Sequence, residues 1–160
     1  MNYKNQFDEL HRKYHPMVLQ LCMGYSKGAE AIAKDLSQDV FINIWHALPA
    51  FEKRSSFKTW IYRITVNTCL MQIRKDKKMS TEQIGDQHML PVNIEEVDKS
   101  YGSLYAAIGK LTEVDRLLMM LLLDELSYDE IAEVMGIKAV NLRVKIYRVK
   151  ERLKKILANG

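Results

Sequence analysis

Arg143, Tyr147, Lys150 and Lys154 recur at steps of four, three and four, so on an α-helix they form one cationic stripe with an aromatic ring in it. Arg148, Arg152 and Lys155 widen that surface, and from Lys138 to Lys155 eight basic residues stand against one acidic, Glu151. Cations in such a row neutralise phosphates, and a helix of that width fits the major groove of duplex DNA. A second grouping lies in FEKRSSFKTWIYRITVNTCLMQIRKDKK, residues 51–78. There Lys53, Arg54 and Lys58 are interleaved with Phe51, Phe57, Trp60 and Tyr62, beside Ser55 and Ser56. Rings that stack on bases and cations that follow phosphates suit single-stranded nucleic acid. Further along, Arg63, Asn67 and Arg74 fall within an arc of roughly 40° at helical pitch, with Lys75 adjoining. A carboxamide has the donor and acceptor needed to read a base edge. Set among Ile64, Val66 and Leu70, Asn67 needs a partner, and a hydrogen bond to a neighbouring loop is the alternative to a base.

Other chemistries find less support. His11 and His15, four residues apart, are spaced to share a metal ion on one helix face, but no carboxylate or cysteine set accompanies them. The expectation is therefore no metal, no cofactor and no enzyme, a small helical nuclease being the catalytic reading set aside; His46 and His88 stand alone. Cys22 and Cys69 lie in apolar helical contexts and read as buried thiols of a reducing cytoplasm rather than a disulfide. The polar start predicts no secretory signal, and Leu117–Leu123 is too short to span a bilayer. Hydrophobic content of 48% is that of a folded chain, and the net charge of +4 is unevenly spread. Residues 1–78 carry 13 basic and 7 acidic groups, residues 79–100 carry 1 and 5, residues 101–137 carry 2 and 7, and residues 138–160 carry 8 and 1. Two basic blocks flank an acidic middle, which implies two separate contacts with a polyanion.

Helices must position these residues, since helical periodicity dominates and no segment alternates as a strand would. The spacing predicts helices near Phe7–Tyr25, Ala29–Ala47, broken by Pro49, and Phe57–Lys77, with a loop over Pro49–Ser56. Residues 79–100, polar and acidic with Gly85 and Pro91, read as a flexible linker. A helix at Tyr101–Lys110, a Thr112-capped one ending near Glu125 and a helix-turn-helix over Leu126–Leu157 complete the second half. In that unit Ser127 and Glu130 form a capping box, Gly136 takes the turn, and Leu142, Ile146, Val149, Leu153 and Ile156 make the apolar stripe. The fold class is all-α: domains at 1–78 and 101–160 joined by the acidic segment, each with a modest core that leans on a partner. On the second helix Val40, Phe41, Ile44, Trp45 and Leu48 supply the apolar side, while Asp35, Asp39 and His46 share a narrow face with Gln38, Ile42 and Asn43 beside it. Carboxylates there repel DNA and suit a basic protein partner.

Taken together, D-L-x-Q-D-V-F-x-x-x-W at Asp35–Trp45, F-K-T-W-I-Y-R-I-T-V-N at Phe57–Asn67 and the helix-turn-helix at Leu126–Leu153 resemble the sigma factors of bacterial RNA polymerase, in their extracytoplasmic-function group. The resemblance implies that Asp35, Gln38, Asp39 and Asn43, with Ile42 and His46, dock on the coiled coil of the polymerase's largest subunit. It implies that the Phe51–Ser56 loop, with Asn67 beneath it, holds a flipped base of the minus-ten element while Arg63, Arg74 and Lys75 hold phosphates. In the second half Arg143, Val144 and Tyr147 match positions facing base edges of the minus-thirty-five element, and Lys145 and Arg148 match positions near phosphates; Ser127, Asn141 and Lys150 complete that set. Asn141 is expected to cap the recognition helix, and Val144 to meet a thymine methyl. A cytoplasmic factor follows, monomeric when free, that binds duplex and single-stranded promoter DNA, has an anti-sigma antagonist and touches no membrane. A dimeric helix-turn-helix regulator is the rival, and it leaves the acidic helix and the aromatic loop without a role.

Overall fold

The computed structural model describes residues 2–82 and 102–159, and every regular element among them is helical. In chain order these are α1 (Tyr3–Tyr25), α2 (Glu30–Ala47), a 3-10 turn at Leu48–Ala50, α3 (Phe57–Glu82), α4 (Gly102–Gly109), α5 (Glu113–Leu123), α6 (Tyr128–Met135) and α7 (Ala139–Asn159). Helix α1 starts four residues before its expected start, because the Asn2 side chain accepts from the Asn5 N–H and caps it. Pro16 lies within α1 without ending it, on the exposed side. Helix α3 runs past its expected end at Lys77, since Met79–Glu82 contains neither glycine nor proline to stop it. The rest of the expected acidic linker, and His88 within it, lies outside the described residues.

Apolar spacing accounts for the core. Val18, Leu21 and Cys22 of α1 meet Leu36, Val40 and Ile44 of α2 and Ile61, Val66 and Cys69 of α3, all fully or nearly fully buried. Cys22 and Cys69 are free and buried, and the neighbouring Cys22 thiol together with burial pushes the Cys69 thiol far up. In the second half Leu117, Leu118 and Leu121 of α5 and Ile131 and Val134 of α6 pack with Leu142, Ile146 and Val149 of α7.

The two halves lean on each other. Helix α1 packs against α4 and α5, and α3 packs against α5 and α6. Gly24 permits the first contact: a Cβ there would fall inside the Met120 side chain. The Arg116 guanidinium, buried and over the Tyr25 ring, donates to the Tyr25 carbonyl at 3.0 Å and to the Leu111 carbonyl at 2.7 Å. It thus closes the carbonyl at the end of α1 and one in the turn between α4 and α5, from different halves of the chain. The Tyr62 hydroxyl donates to Asp124 Oδ2 at 2.7 Å. Burial, then that bond, pushes the Tyr62 phenol far above its ordinary range, so it stays a donor at any physiological pH.

Candidate nucleic-acid interface

Three exposed surfaces stand on this frame. On α2, Asp35, Gln38, Asp39, Ile42, Asn43 and His46 all face solvent, as the spacing predicts. Ile42 is 50% exposed and Trp45 44%, so the face is acidic and apolar together. Trp45 therefore departs from its expected place on the buried side; it lies at the rim, edge-on to Phe7 at 5.3 Å. The Asn43 amide donates to Thr68 Oγ1 at 3.0 Å and ties α2 to α3. Nearby, His11 and His15 do share a face, but with rings: their centroids are 5.0 Å apart and His11 lies 4.5 Å from Phe41. Burial, then the His15 charge, holds the His11 imidazole below its ordinary value. Among the described residues no group of three or more His, Cys, Asp or Glu is placed to hold a metal.

The second surface is the loop before α3 and that helix's outer side. Phe51 and Phe57 stack at 4.4 Å, Trp60 lies 4.8 Å from Phe51, and all three are half-buried. They make an aromatic floor beside exposed Lys53, Arg54 and Lys58. Lys53 takes a left-handed backbone, φ 57°, an uncommon conformation for a lysine that turns the loop over this floor. Arg54 pairs with Glu52 at 2.9 Å in full solvent, a contact of little weight. Half-buried Ser55 lies in the loop; the Ser56 hydroxyl is taken up at the helix start, accepting from the Thr59 N–H at 3.1 Å. Beyond it Arg63, Asn67, Arg74 and Lys75 are all exposed. The Asn67 side chain makes no hydrogen bond to another described residue, so the neighbouring-loop partner allowed by the sequence is not formed. Tyr62 departs from the sequence reading: grouped there with the stacking rings, it is 3% exposed and held by Asp124. Its one-residue offset from the outer side was legible in the helical period; its partner was not.

The third surface is the helix-turn-helix. Ser127 Oγ accepts from the Glu130 N–H, and Glu130 Oε1 accepts from the Ser127 N–H, both at 3.1 Å. These bonds to Ser127 hold the Glu130 carboxyl below its ordinary range, with a smaller contribution from Lys58 of α3. Ser127 is thus exposed with its hydroxyl engaged in the helix start. Gly136 takes φ 68°, the left-handed turn between α6 and α7. Leu142, Ile146, Val149 and Leu153 face the core, which turns Asn141, Arg143, Val144, Tyr147, Arg148 and Lys150 outward. Val144 is 47% exposed and Tyr147 67%. Asn141 does not cap the helix: α7 begins at Ala139, with the Leu142 N–H already bonded to the Lys138 carbonyl at 2.9 Å. Residues 139–141 are free of glycine and proline, so the helix opens three residues earlier than a cap at Asn141 would allow. Lys145 is only half exposed, drawn toward Asp115, a residue the sequence reading passed over. A charged residue amid Leu-rich α5 was the available signal.

Residues 10–79 match Sigma-70 region 2 and residues 101–153 match Sigma-70, region 4. The RNA polymerase sigma factor YlaC of Bacillus subtilis (strain 168) is 28% identical over 163 residues, covering 97% of this chain and 94% of that one. The RNA polymerase sigma-H factor of Pseudomonas aeruginosa is 30% identical over 169 residues, covering 96% and 87%. Two solved structures share the fold. The sigma factor RpoE of Bartonella quintana, in complex with the anti-sigma factor NepR, matches with a TM-score of 0.76 at 21% identity over 96% of this chain and 97% of that one. CnrH, in complex with the cytosolic domain of CnrY, matches at 0.68 and 22% identity over 98% and 90%.

Proposed function

The chain belongs to the extracytoplasmic-function group of the sigma-70 family, and from that premise we propose how its three surfaces divide the work of a transcription initiation factor. Such a factor directs RNA polymerase to promoters. The α2 face, with Asp35, Gln38, Asp39, Ile42, Asn43 and His46, docks on the basic side of core polymerase, at the coiled coil of its largest subunit. The Phe51–Ser56 loop and α3 hold one strand of the minus-ten element: the aromatic floor and Asn67 receive an unstacked base, and Lys53, Arg54, Lys58, Arg63, Arg74 and Lys75 follow phosphates. Helix α7 enters the major groove of the minus-thirty-five element. There Arg143, Val144 and Tyr147 meet base edges while Lys145, Arg148 and Lys150 meet the backbone.

The observation that carries this reading is the placement of an acidic-apolar face and two cationic faces, all solvent-exposed, on one helical frame. A dimeric helix-turn-helix regulator uses the last of these only and is not favoured. The factor performs no bond chemistry of its own; its binding energy lowers the cost of strand opening at one sequence. We place it in the cytoplasm as a monomer when free, with units at 1–78 and 101–160. A protein antagonist fits by analogy, since one structural relative was solved with an anti-sigma factor. Run-off transcription with purified core polymerase on genomic DNA fragments tests the whole. Discrete transcripts that depend on the added chain are expected. The same transcripts without it, or none with it, refute the reading.

A further inference from the structure

Asp115 is the one buried acidic residue among the described residues. It stands in the first turn of α5, its side chain 6% exposed and its N–H bonded to Thr112 Oγ1. Its two oxygens face different cations of α7: Arg152 Nη1 donates to Oδ2 at 2.9 Å, and Lys145 Nζ lies 3.9 Å from Oδ1. Positions 145 and 152 are two turns apart on one edge of the helix, so a single carboxylate holds α7 at two levels. The same carboxylate lines a groove of about 450 Å³ together with Asn141, Val144, Lys145, Arg148 and Arg152. That groove opens beside the residues proposed to face the duplex.

Hydrophobic burial alone does not fix this geometry. The stripe Leu142–Leu153 decides which side of α7 faces the core, but apolar contact is non-directional and tolerates a small rotation. A guanidinium–carboxylate pair with a buried anchor tolerates much less. We infer that Asp115 is a positioning residue for promoter reading: it sets the rotation of α7 about its own axis and presents Lys145 to a backbone phosphate. This rests on α7 reading duplex DNA. The charge arrangement suits the task, because two cations share one anion. When Lys145 turns to a phosphate, Arg152 still pairs with Asp115, so no buried carboxylate is left uncompensated before the polyanion.

The test uses holoenzyme reconstituted from core polymerase and the full chain, presented with a duplex library randomised across the upstream element. Affinity is then measured for the best selected duplex and for a scrambled one. Absence of discrimination by the wild type refutes the reading of α7, and this inference falls with it. Given wild-type discrimination, Asp115→Asn and Arg152→Gln break the same pair while changing net charge in opposite senses. Both are expected to lower the selected-to-scrambled ratio by about tenfold, the scale of one base pair's discrimination. Asp115→Glu, which keeps the carboxylate, restores much of it. Arg152 is 59% exposed, so its variant carries the test if Asp115→Asn fails to fold. Two results overturn the inference. One is an unchanged ratio in both variants, with scrambled-duplex affinity moving in opposite directions, which is charge alone. The other is an equal loss on both duplexes that tracks a fall in melting temperature, which is stability alone.

Discussion

Asn67 stands open on α3 with both ends of its amide free of other described residues, where a buried amide would need partners in the fold. Its fit to a base edge is therefore testable without disturbing packing. Asn67→Ala is expected to leave duplex binding nearly intact and to weaken strand opening, read as reduced permanganate reactivity of minus-ten thymines. Equal opening by the variant removes the assigned role. Arg143 is likewise exposed, and its neighbours on the same side of α7 are Val144 and Tyr147. Arg143→Ala is expected to cost about 1–3 kcal/mol of discrimination at one base pair if the contact is bidentate. A uniform loss on all duplexes makes it a phosphate contact instead.

At the scale of an element, the helix-turn-helix depends on how α6 begins. The reciprocal bonds of Ser127 and Glu130 satisfy two donors that the first turn leaves open. Ser127→Ala is expected to destabilise the protein by about 1 kcal/mol, seen as a lower denaturation midpoint with an unchanged slope. The same box adds a pH dependence. The Glu130 carboxyl is held down in the folded chain, chiefly by Ser127. Below the ordinary glutamate value, about 4.3, the unfolded chain takes up this proton before the folded one does. Stability from the box is thus complete above that value and is lost as pH falls toward the lower folded one. Glu130→Gln should flatten that part of the acid-stability profile; an unaltered profile would mean the box contributes nothing to it.

For the whole molecule, the contact between the halves ties one core to the other. Tyr62–Asp124, Arg116 under the Tyr25 carbonyl and Met120 over Gly24 join segments distant in sequence. Tyr62→Phe keeps the ring and removes the donor, leaving the Asp124 carboxylate short of a partner. A loss of about 0.5–1.5 kcal/mol is expected from the bond itself, measured by chemical denaturation; no loss would mean that this bond adds nothing to the hold between the halves. Promoter binding by the holoenzyme should also fall steeply with salt, because each phosphate contact releases condensed counterions. A flat dependence would contradict two cationic faces on DNA.

The helices, the turn at Gly136, the Thr112 and Ser127 caps and the outward cations of α7 were all legible in the sequence. They rest on local rules: apolar period, capping chemistry and the few residues that permit a left-handed backbone. The solvent-facing sides of α2 and α3 followed from the same period, and the family from three motifs in order. What the sequence left open was every relation between residues far apart in the chain. That Tyr62 faces Asp124 rather than a base, that Asn43 reaches Thr68, that Trp45 lies at a rim and that Asp115 faces Lys145 and Arg152 depend on how helices cross. Periodicity assigns a residue to a side of its own helix; only packing of one helix on another decides what that side meets.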